Sequence, residues 1–229
     1  MFRVKTFILL IGLIVSQLSL NAEELRLGSP FFPPYVYVDM DGELSGLWMT
    51  QLYPVLNEAG ISFNAVHVPI KRFYASAATG KIDLFAMPKG RAGMENVVFS
   101  ERPFAHFDLR AFWLDGAENI QALSQLSGHK VALIKGYSYG GLLATNIQSD
   151  QQLEFVTAEN QKVALEMLMN KEVDYVLGYW AVMTYLQKNY PNAQINNMKI
   201  AELPIYLAMH NSVNNAEQLM QSFNAALPE

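Results

Sequence analysis

The sequence predicts an α/β protein built from two similar lobes that are joined by two hinge strands. Short apolar segments alternate with segments of helical period, which favours a mainly parallel sheet flanked by helices. A unit made of a helix end, a lysine, an aspartate and an apolar strand occurs at 77–85 and again at 169–177. Two copies of one unit indicate two similar lobes rather than a solenoid. The segments Leu109–Leu114 and Leu203–Met209 are extended and apolar, and lie where two strands could cross between lobes.

The first half of the chain carries the elements of one lobe. Pro33 and Pro34 end the first strand, and Gly60 and Gly80 suit the ends of the two helices. Pro54 is expected either to kink the first helix or to lie in its first turn. The expected strands are 25–28, 61–68 and 82–87, and the expected helices are 47–59 and 71–79.

The pattern then restarts for a second lobe. Strands are expected at 131–134 and 173–177, and a helix at 142–147 follows the glycine-rich turn 136–141. Thr157 is the expected N-cap of the next helix, whose apolar stripe is Ala164, Met167 and Leu168. Asn214 and Glu217 have capping-box spacing before a final helix, with Leu219, Met220, Phe223 and Leu227 on one face.

The N-terminus has the three-part pattern of a secretory signal. Arg3 and Lys5 precede the apolar run 7–15, and Ala22 offers a cleavage site before two glutamates. The alternative is a membrane anchor, but a spanning helix needs about 20 predominantly apolar residues and this segment becomes polar in its second half. We therefore expect residues 1–22 to be a cleaved signal peptide and the mature protein to be periplasmic.

Charge and composition exclude several function classes. Removing residues 1–22 leaves 207 residues and takes away two of the 16 basic residues and none of the 21 acidic ones, so the mature net charge would be −7. An acidic chain of this kind has no electrostatic footprint for nucleic acid or anionic membrane. There is no cysteine, and the four histidines are isolated, so a zinc site is not expected. Neither a P-loop nor a dinucleotide fingerprint is present, and we expect no cofactor.

An ordered set of segments resembles the polar-amino-acid-binding class of bacterial periplasmic solute-binding proteins. The set comprises LRLGSPFFPPYVY at the start, 42–52, 69–87, 97–104, 126–140 and 164–179. The resemblance implies the two-lobed periplasmic-binding-protein-like fold, with lobe I at 23–110, to which 205–229 returns, and lobe II at 111–204. It also implies a monomer that closes on a small-molecule ligand, for ABC-type uptake through a membrane transporter or for sensing.

Three positions depart from the pattern of that family. Gly93 stands where an arginine usually holds the ligand carboxylate, and the nearest arginine is Arg91. Tyr179 replaces the acid that usually meets the ligand amino group, and Thr50 replaces an acid near the first helix. A zwitterion would bury both charges with poor partners, so an ordinary α-amino acid is not the expected ligand.

Seven residues are candidates for contact with the ligand. Tyr35, Trp48 and Tyr179 could pack against a planar or cationic group, although core packing is the commoner use of such rings. Arg72 and Arg91 could grip a carboxylate, or could be surface arginines. Ser138 and Tyr139 belong to the turn 136–141, whose backbone N–H groups could hold an anion.

The same turn supports a rival, enzymatic interpretation. Gly136 to Gly140 match G-x-S-x-G, the nucleophile elbow of α/β hydrolases, and Asp174 and His210 follow in the right chain order. Against this, no oxyanion segment precedes the turn, and Asp174 belongs to the repeated unit together with Asp83, which indicates a structural role. A dehydratase in the cleft, or an orphan sensory or interaction module, are further alternatives; the binding protein is the preferred interpretation.

Overall fold

A computed structural model describes residues 24–137, 139–141 and 154–228 of the 229-residue chain. The strands are β1 (Leu25–Ser29), β2 (Tyr37–Val38), β3 (Leu44–Ser45), β4 (Phe63–His67), β5 (Leu84–Met87), β6 (Val97–Phe99), β7 (Ala105–Leu114), β8 (Lys130–Ile134), β9 (Glu154–Ala158), β10 (Tyr175–Tyr179) and β11 (Ile195–His210). The helices are α1 (Leu47–Glu58), α2 (Ile70–Ala78), α3 (Gln161–Met169), α4 (Trp180–Gln187) and α5 (Ala216–Ala226).

Two groups of parallel strands form the two ends of one connected sheet. The order is β4-β1-β5-β11-β7-β10-β8-β9, and β6 also pairs with β11. We call β4, β1, β5 and β6 with α1, α2 and α5 unit I, and β10, β8 and β9 with α3 and α4 unit II. In unit I, β1 pairs parallel with β4 and β5, and in unit II, β8 pairs parallel with β10 and β9. The long strands β7 and β11 pair antiparallel with each other and with their neighbours β10 and β5. The expectation of a mainly parallel sheet therefore holds inside each unit and not across the middle.

Two long strands connect the units. β11 pairs with β7 along 195–205, then with β5 and β6 along 206–210. β7 in turn pairs with β10 along 109–112. The ladder between β7 and β11 is interrupted once, at a bulge between Lys199 and Ala201. The segments 109–114 and 203–209, predicted to cross between the lobes, thus lie in β7 and β11, the two strands that connect the units.

The repeated lysine–aspartate unit makes the same strand contact twice. Asp83 exchanges hydrogen bonds with the backbone of Arg26: its Oδ2 accepts from the Arg26 N–H at 2.8 Å, and its own N–H donates to the Arg26 carbonyl at 2.9 Å. Asp174 does the same with Lys130, at 2.8 Å in both directions. Asp83, just before β5, is thus bonded to β1, and Asp174, just before β10, is bonded to β8. These bonds confirm a structural role for both aspartates.

The structure contains β2, β3, β6, β9 and α4, which the sequence pattern did not predict, and other differences lie at helix ends. Thr157 lies in β9, and Asn160 is the N-cap of α3, its side chain accepting from the Val163 N–H at 3.0 Å. Asn215, in a left-handed conformation, precedes α5 without a side-chain cap, so the predicted capping box at Asn214 is wrong. Pro54 lies inside α1 rather than in its first turn. The predicted helix 142–147 falls outside the described residues, as does the predicted signal peptide.

Both units contribute buried apolar residues to one large cluster. The largest cluster runs continuously from Leu52 and Leu56 of α1, through Leu109 and Phe112 of β7, to Leu165 of α3. In the part of the chain that the structure describes, no helix is apolar over a length that would cross a bilayer.

Candidate functional site

Aromatic rings from both units meet at the carboxyl ends of the central strands. Phe32 and Tyr35 follow β1, Tyr137 and Tyr139 follow β8, and Tyr179 is the last residue of β10. In open α/β sheets the carboxyl ends of parallel strands border the crevice where ligands bind. The rings of this aromatic cluster therefore lie where a ligand site is expected.

Three parallel rings form the centre of the aromatic cluster. Tyr179 stacks on Phe107 of β7 with ring centroids 4.2 Å apart and an interplanar angle of 7°. Tyr137 stacks on Tyr179 at 5.3 Å and 21°. Offset stacking of this kind contributes about 0.5–1.5 kcal/mol per pair beyond the burial of apolar area.

Phe32 connects unit I to this stack. Its ring stands at 73° to Phe107, 79° to Tyr179 and 86° to Tyr137, with centroids 5.6, 6.2 and 6.3 Å away. Such edge-to-face geometry is the favoured alternative to stacking, because the positive edge of one ring meets the negative face of another. One half-buried side chain thus touches three rings, two of which belong to unit II.

Tyr35 and Trp48 close the aromatic cluster on the side of unit I. Trp48, in the first turn of α1, lies 4.8 Å from Phe107 and 5.2 Å from Tyr35, centroid to centroid. The backbone N–H of Trp48 donates to the Tyr35 carbonyl at 3.1 Å, and this bond holds the loop that contains Tyr35 against the start of α1. Gly46 permits this approach: its φ is +120°, and a Cβ there would lie 2.5 Å from the Tyr35 carbonyl oxygen.

Burial keeps the tyrosines of the aromatic cluster neutral. Removal from water raises the pKa of Tyr35, Tyr137, Tyr139 and Tyr179 above the ordinary value of a phenol. For Tyr35 the increase is partly offset by the backbone N–H of Ala181, at the start of α4 in unit II. The phenols therefore remain hydrogen-bond donors and carry no charge for a cation.

Two buried N–H donors at the aromatic cluster have no hydrogen-bond partner among the described residues: Trp48 Nε1 and Gln161 Nε2. Their residues are only 6% and 4% exposed. Gln161 uses its Oε1 to accept from the Tyr179 N–H at 3.0 Å. Its side chain lies close enough to Tyr137 to counter part of the rise in that pKa, although Nε2 makes no hydrogen bond of normal geometry. A buried donor left unpaired costs about 1–3 kcal/mol, so both are suited to an acceptor supplied by a ligand.

Among the residues that the structure describes, charged groups lie at the margin of the aromatic cluster. The Arg91 guanidinium lies 3.5 Å from the ring centre of Tyr74 on α2. The Tyr74 hydroxyl in turn raises the pKa of Tyr137 and Tyr179, which places it near both. On the other side, Asp108 makes a bidentate pair with Arg110, at 2.6 and 3.0 Å, so this carboxylate already has a partner.

The seven predicted ligand residues have different surroundings. Tyr35, Trp48, Tyr139 and Tyr179 belong to the aromatic cluster, and Arg91 joins it through Tyr74, whereas Arg72 is an exposed residue of α2 and Ser138 lies outside the described residues. The Tyr139 hydroxyl accepts from the Ile134 N–H at 2.7 Å and donates to the Leu177 carbonyl at 3.2 Å, so it also supports the core of unit II. A role in ligand binding stays a prediction for each of the seven.

Sequence reasoning did not find the remaining members: Phe32, Tyr74, Phe107, Tyr137 and Gln161. Phe32 lies in the segment LRLGSPFFPPYVY and Tyr137 in the turn 136–141, so the sequence patterns already pointed to their neighbourhood. Two of the positions that depart from the family pattern, Gly93 and Thr50, carry no charge. Gly93 is exposed at φ +82°, and the Thr50 hydroxyl donates to the Gly46 carbonyl at 3.0 Å.

Asp174 and His210, the two described residues of the hydrolase interpretation, are not brought together. Asp174 Oδ2 accepts from the Lys130 N–H and lies 3.7 Å from His129 Nδ1, in unit II. His210 belongs to β11 in its unit I segment, where Nδ1 lies 2.7 Å from the Ser212 hydroxyl. Within the described ranges there is also no cluster of three or more histidine, aspartate or glutamate side chains that could hold a metal ion.

Solved structures share this fold at low sequence identity. No protein-family model and no curated sequence matches the chain. An ancestral arginine-binding protein bound to arginine is 23% identical, with a TM-score of 0.66 over 89% of this chain and 90% of that one. The Bordetella pertussis BvgS VFT2 domain, as a double mutant, is 20% identical, with a TM-score of 0.68 over 89% and 86%. The GluR0 ligand-binding core in complex with L-glutamate is 16% identical, with a TM-score of 0.69 over 90% and 93%. The likeness shows that the chain has the two-lobed periplasmic-binding-protein-like fold.

Proposed function

We propose that this chain is an exported solute-binding protein whose two lobes close on a small polar or aromatic organic compound. The observation that carries the proposal is the aromatic cluster, which draws rings from both units to the shared carboxyl edge of their strands. Similar structures support it, since they include an ancestral arginine-binding protein, the GluR0 ligand-binding core and a substrate-binding domain of a putative amino acid ABC transporter.

Ligand capture would work by a shift in the populations of open and closed states. A ligand favours closure only if it gains contacts in the closed state that it lacks in the open one. Phe32, Tyr35 and Trp48 on one unit and Tyr137 and Tyr179 on the other would supply those contacts. The proposed lobes are 23–110 with 205–229, and 111–204, and β7 and β11 would bend between them.

The proposed role excludes catalysis. Asp174 and His210 lie in different units, so the chain order that matches a hydrolase has no corresponding geometry. An ester hydrolysed by the wild-type protein but not by Ser138→Ala would contradict this part of the proposal.

The proposed location is the periplasm, after cleavage at Ala22. The mass of the intact protein isolated from the periplasm would then correspond to residues 23–229. A mass that retains residues 1–22 would contradict cleavage. Uptake through a transporter and sensing both fit the proposal, because the similar structures include a transporter domain and a histidine kinase sensor domain.

The proposal is tested by thermal unfolding against amino acids, amines, aromatic acids, small organic acids and short esters. A ligand at 100 times its Kd stabilises the folded state by about 2.7 kcal/mol. For a chain of this size we expect a rise in Tm of about 5–10 °C. Tyr179→Ala should abolish the rise, whereas Tyr185→Ala, a change at an exposed tyrosine of α4, should leave it intact.

Closure gives an independent readout. Small-angle scattering with the stabilising compound should show a smaller radius of gyration than without it, unless the free protein is already closed. A protein that gains no stability from any compound class would contradict the proposed function.

A further inference from the structure

The place of Phe32 shows which shape the space between the units accepts. This ring belongs to unit I, yet its centroid lies 6.2–6.3 Å from two rings of unit II and 5.6 Å from Phe107. It makes a fourth contact with Tyr35, at 5.5 Å. A six-membered planar ring thus already fits between the lobes, in edge-to-face contact with three others.

Geometry favours a planar aromatic guest over a saturated one. Edge-to-face contacts need an electron-rich face on one partner and a positive edge on the other, which a saturated ring does not supply. Phe32 is only half-buried and its loop is at the surface, so a free aromatic compound can compete for its place.

The polar groups at the aromatic cluster select an acceptor. Trp48 Nε1 and Gln161 Nε2, the two buried side-chain groups left without a partner within the described ranges, are both N–H donors, one from each unit. An ammonium group would leave both unpaired, and the neighbouring Asp108 is held by Arg110. A carboxylate oxygen would satisfy a donor through a charge-assisted bond, and neutral tyrosine hydroxyls around it would not repel it.

We propose that the cleft binds planar aromatic carboxylates without an amino group, whose ring takes the position of Phe32 and whose carboxylate accepts from Trp48 Nε1, Gln161 Nε2 or both. This inference rests on the proposed solute-binding function and names its ligand class. Binding requires Phe32 to leave its contacts, so the free protein carries an internal competitor for its own ligand.

The first test removes that competitor. Calorimetric titration of the mature protein with benzoate should show affinity about tenfold higher for Phe32→Ala than for wild type, since several ring contacts no longer oppose binding. Phe31→Ala is the matched control, because Phe31 is 59% exposed, and its affinity should match wild type. Phe32→Leu, which keeps an apolar side chain but no planar face, serves if Phe32→Ala does not fold. Equal affinities of Phe31→Ala and Phe32→Ala for benzoate would contradict the proposal that the ligand ring takes the position of Phe32.

The second test removes the donors. Trp48→Phe keeps an aromatic ring and deletes Nε1, and Gln161→Met deletes Nε2 without adding a charge that would itself repel a carboxylate. At least one should weaken benzoate binding by about tenfold or more, as expected for loss of a hydrogen bond to a charged group. If neither does, the proposed carboxylate contact is wrong.

Ligand analogues separate this inference from the function on which it rests. Benzoate should bind more tightly than cyclohexanecarboxylate, which lacks the planar ring, and benzylamine, which lacks the acceptor. If either analogue binds as well as benzoate, or if another class binds and benzoate does not, the ligand class is wrong while the solute-binding function stands. If no compound of any class binds, both are wrong.

Discussion

Replacing Asp83 by asparagine should destabilise the protein more than the same change at Asp174, although the two residues occupy equivalent places in the repeated unit. Asp83 accepts from the backbone N–H of Arg26 at 2.8 Å and from its guanidinium at 2.7 Å through each carboxylate oxygen. Its side chain is 12% exposed, whereas that of Asp174 is 51% exposed. Among the described bonds, Asp174 accepts one from the Lys130 backbone.

The expected magnitude follows from these contacts. Asparagine at 83 retains one neutral acceptor and loses the charge. Because the Arg26 side chain is half exposed, its ion pair contributes about 1 kcal/mol at most. Weakening the backbone bond adds about 1 kcal/mol. We therefore expect Asp83→Asn to lower the free energy of unfolding by about 2 kcal/mol, a fall in Tm of about 4–8 °C, and Asp174→Asn by less than about 1 kcal/mol.

The difference in free energy of unfolding between wild type and Asp83→Asn should also depend on pH. Burial tends to raise the pKa of Asp83, but the hydrogen bonds from Arg26 outweigh it and hold the pKa below the usual value. The carboxylate therefore stabilises the folded state fully above the unfolded pKa of about 3.9, and this stabilisation is lost as the pH falls through the lower folded value.

Urea unfolding of wild type and both variants at pH 7 and pH 3 measures these quantities. The gap between Asp83→Asn and wild type should shrink at pH 3. Equal losses for the two variants at pH 7, or a gap that does not change with pH, would refute the assignment of the extra stability to the Arg26 contacts.

Three further changes test other parts of the structure. Gly46→Ala should lower the free energy of unfolding by about 1 kcal/mol more than Gly42→Ala, because both have positive φ but a Cβ meets the backbone only at Gly46; denaturant titration of the pair checks this. Tyr139→Phe should lower the free energy of unfolding by about 1–3 kcal/mol, because the Ile134 N–H and the Leu177 carbonyl lose their bonds to the hydroxyl. Denaturant titration measures this, and an unchanged free energy of unfolding would contradict it. Burial raises the pKa of Tyr53 to about 12, so unfolding should become easier above about pH 10, where the unfolded phenol ionises first; urea unfolding of wild type and Tyr53→Phe between about pH 9 and pH 11 checks this, since the variant should lose less stability over that range.

The sequence predicted the elements of each unit better than it predicted their contacts. Apolar alternation and the repeated aspartate reflect local constraints, and they predicted β1, β4, β5, β8 and β10, the helices α1, α2 and α5, and the two crossing segments, but not β2, β3, β6, β9 or α4. The start of α3 was misplaced because Thr157 and Asn160 are both good N-caps. The choice between them is made by β8, which pairs with β9 as far as Ala158 and holds Thr157 in the strand.

The aromatic cluster was only partly predictable for a similar reason. Tyr35 and Tyr179 stand at strand ends, where sequence patterns direct attention to ligands. Phe107 alternates with polar neighbours along β7 and looks like an ordinary core residue, and Gln161 looks like a polar residue at a helix start. Their roles depend on which surfaces the fold brings face to face, and no local pattern records that.

The pairing of β11 with β5 has a consequence for the order in which the protein can mature. Unit I draws strands from the beginning of the chain and its last strand segment and helix from the end, while β8, β9 and β10 come from the middle. During synthesis from the N-terminus, β5 waits with an open edge until 206–209 emerge. An open strand edge is a template for pairing with other chains. The nascent protein therefore exposes an edge through which it can self-associate from the time β5 is made until its final residues are made.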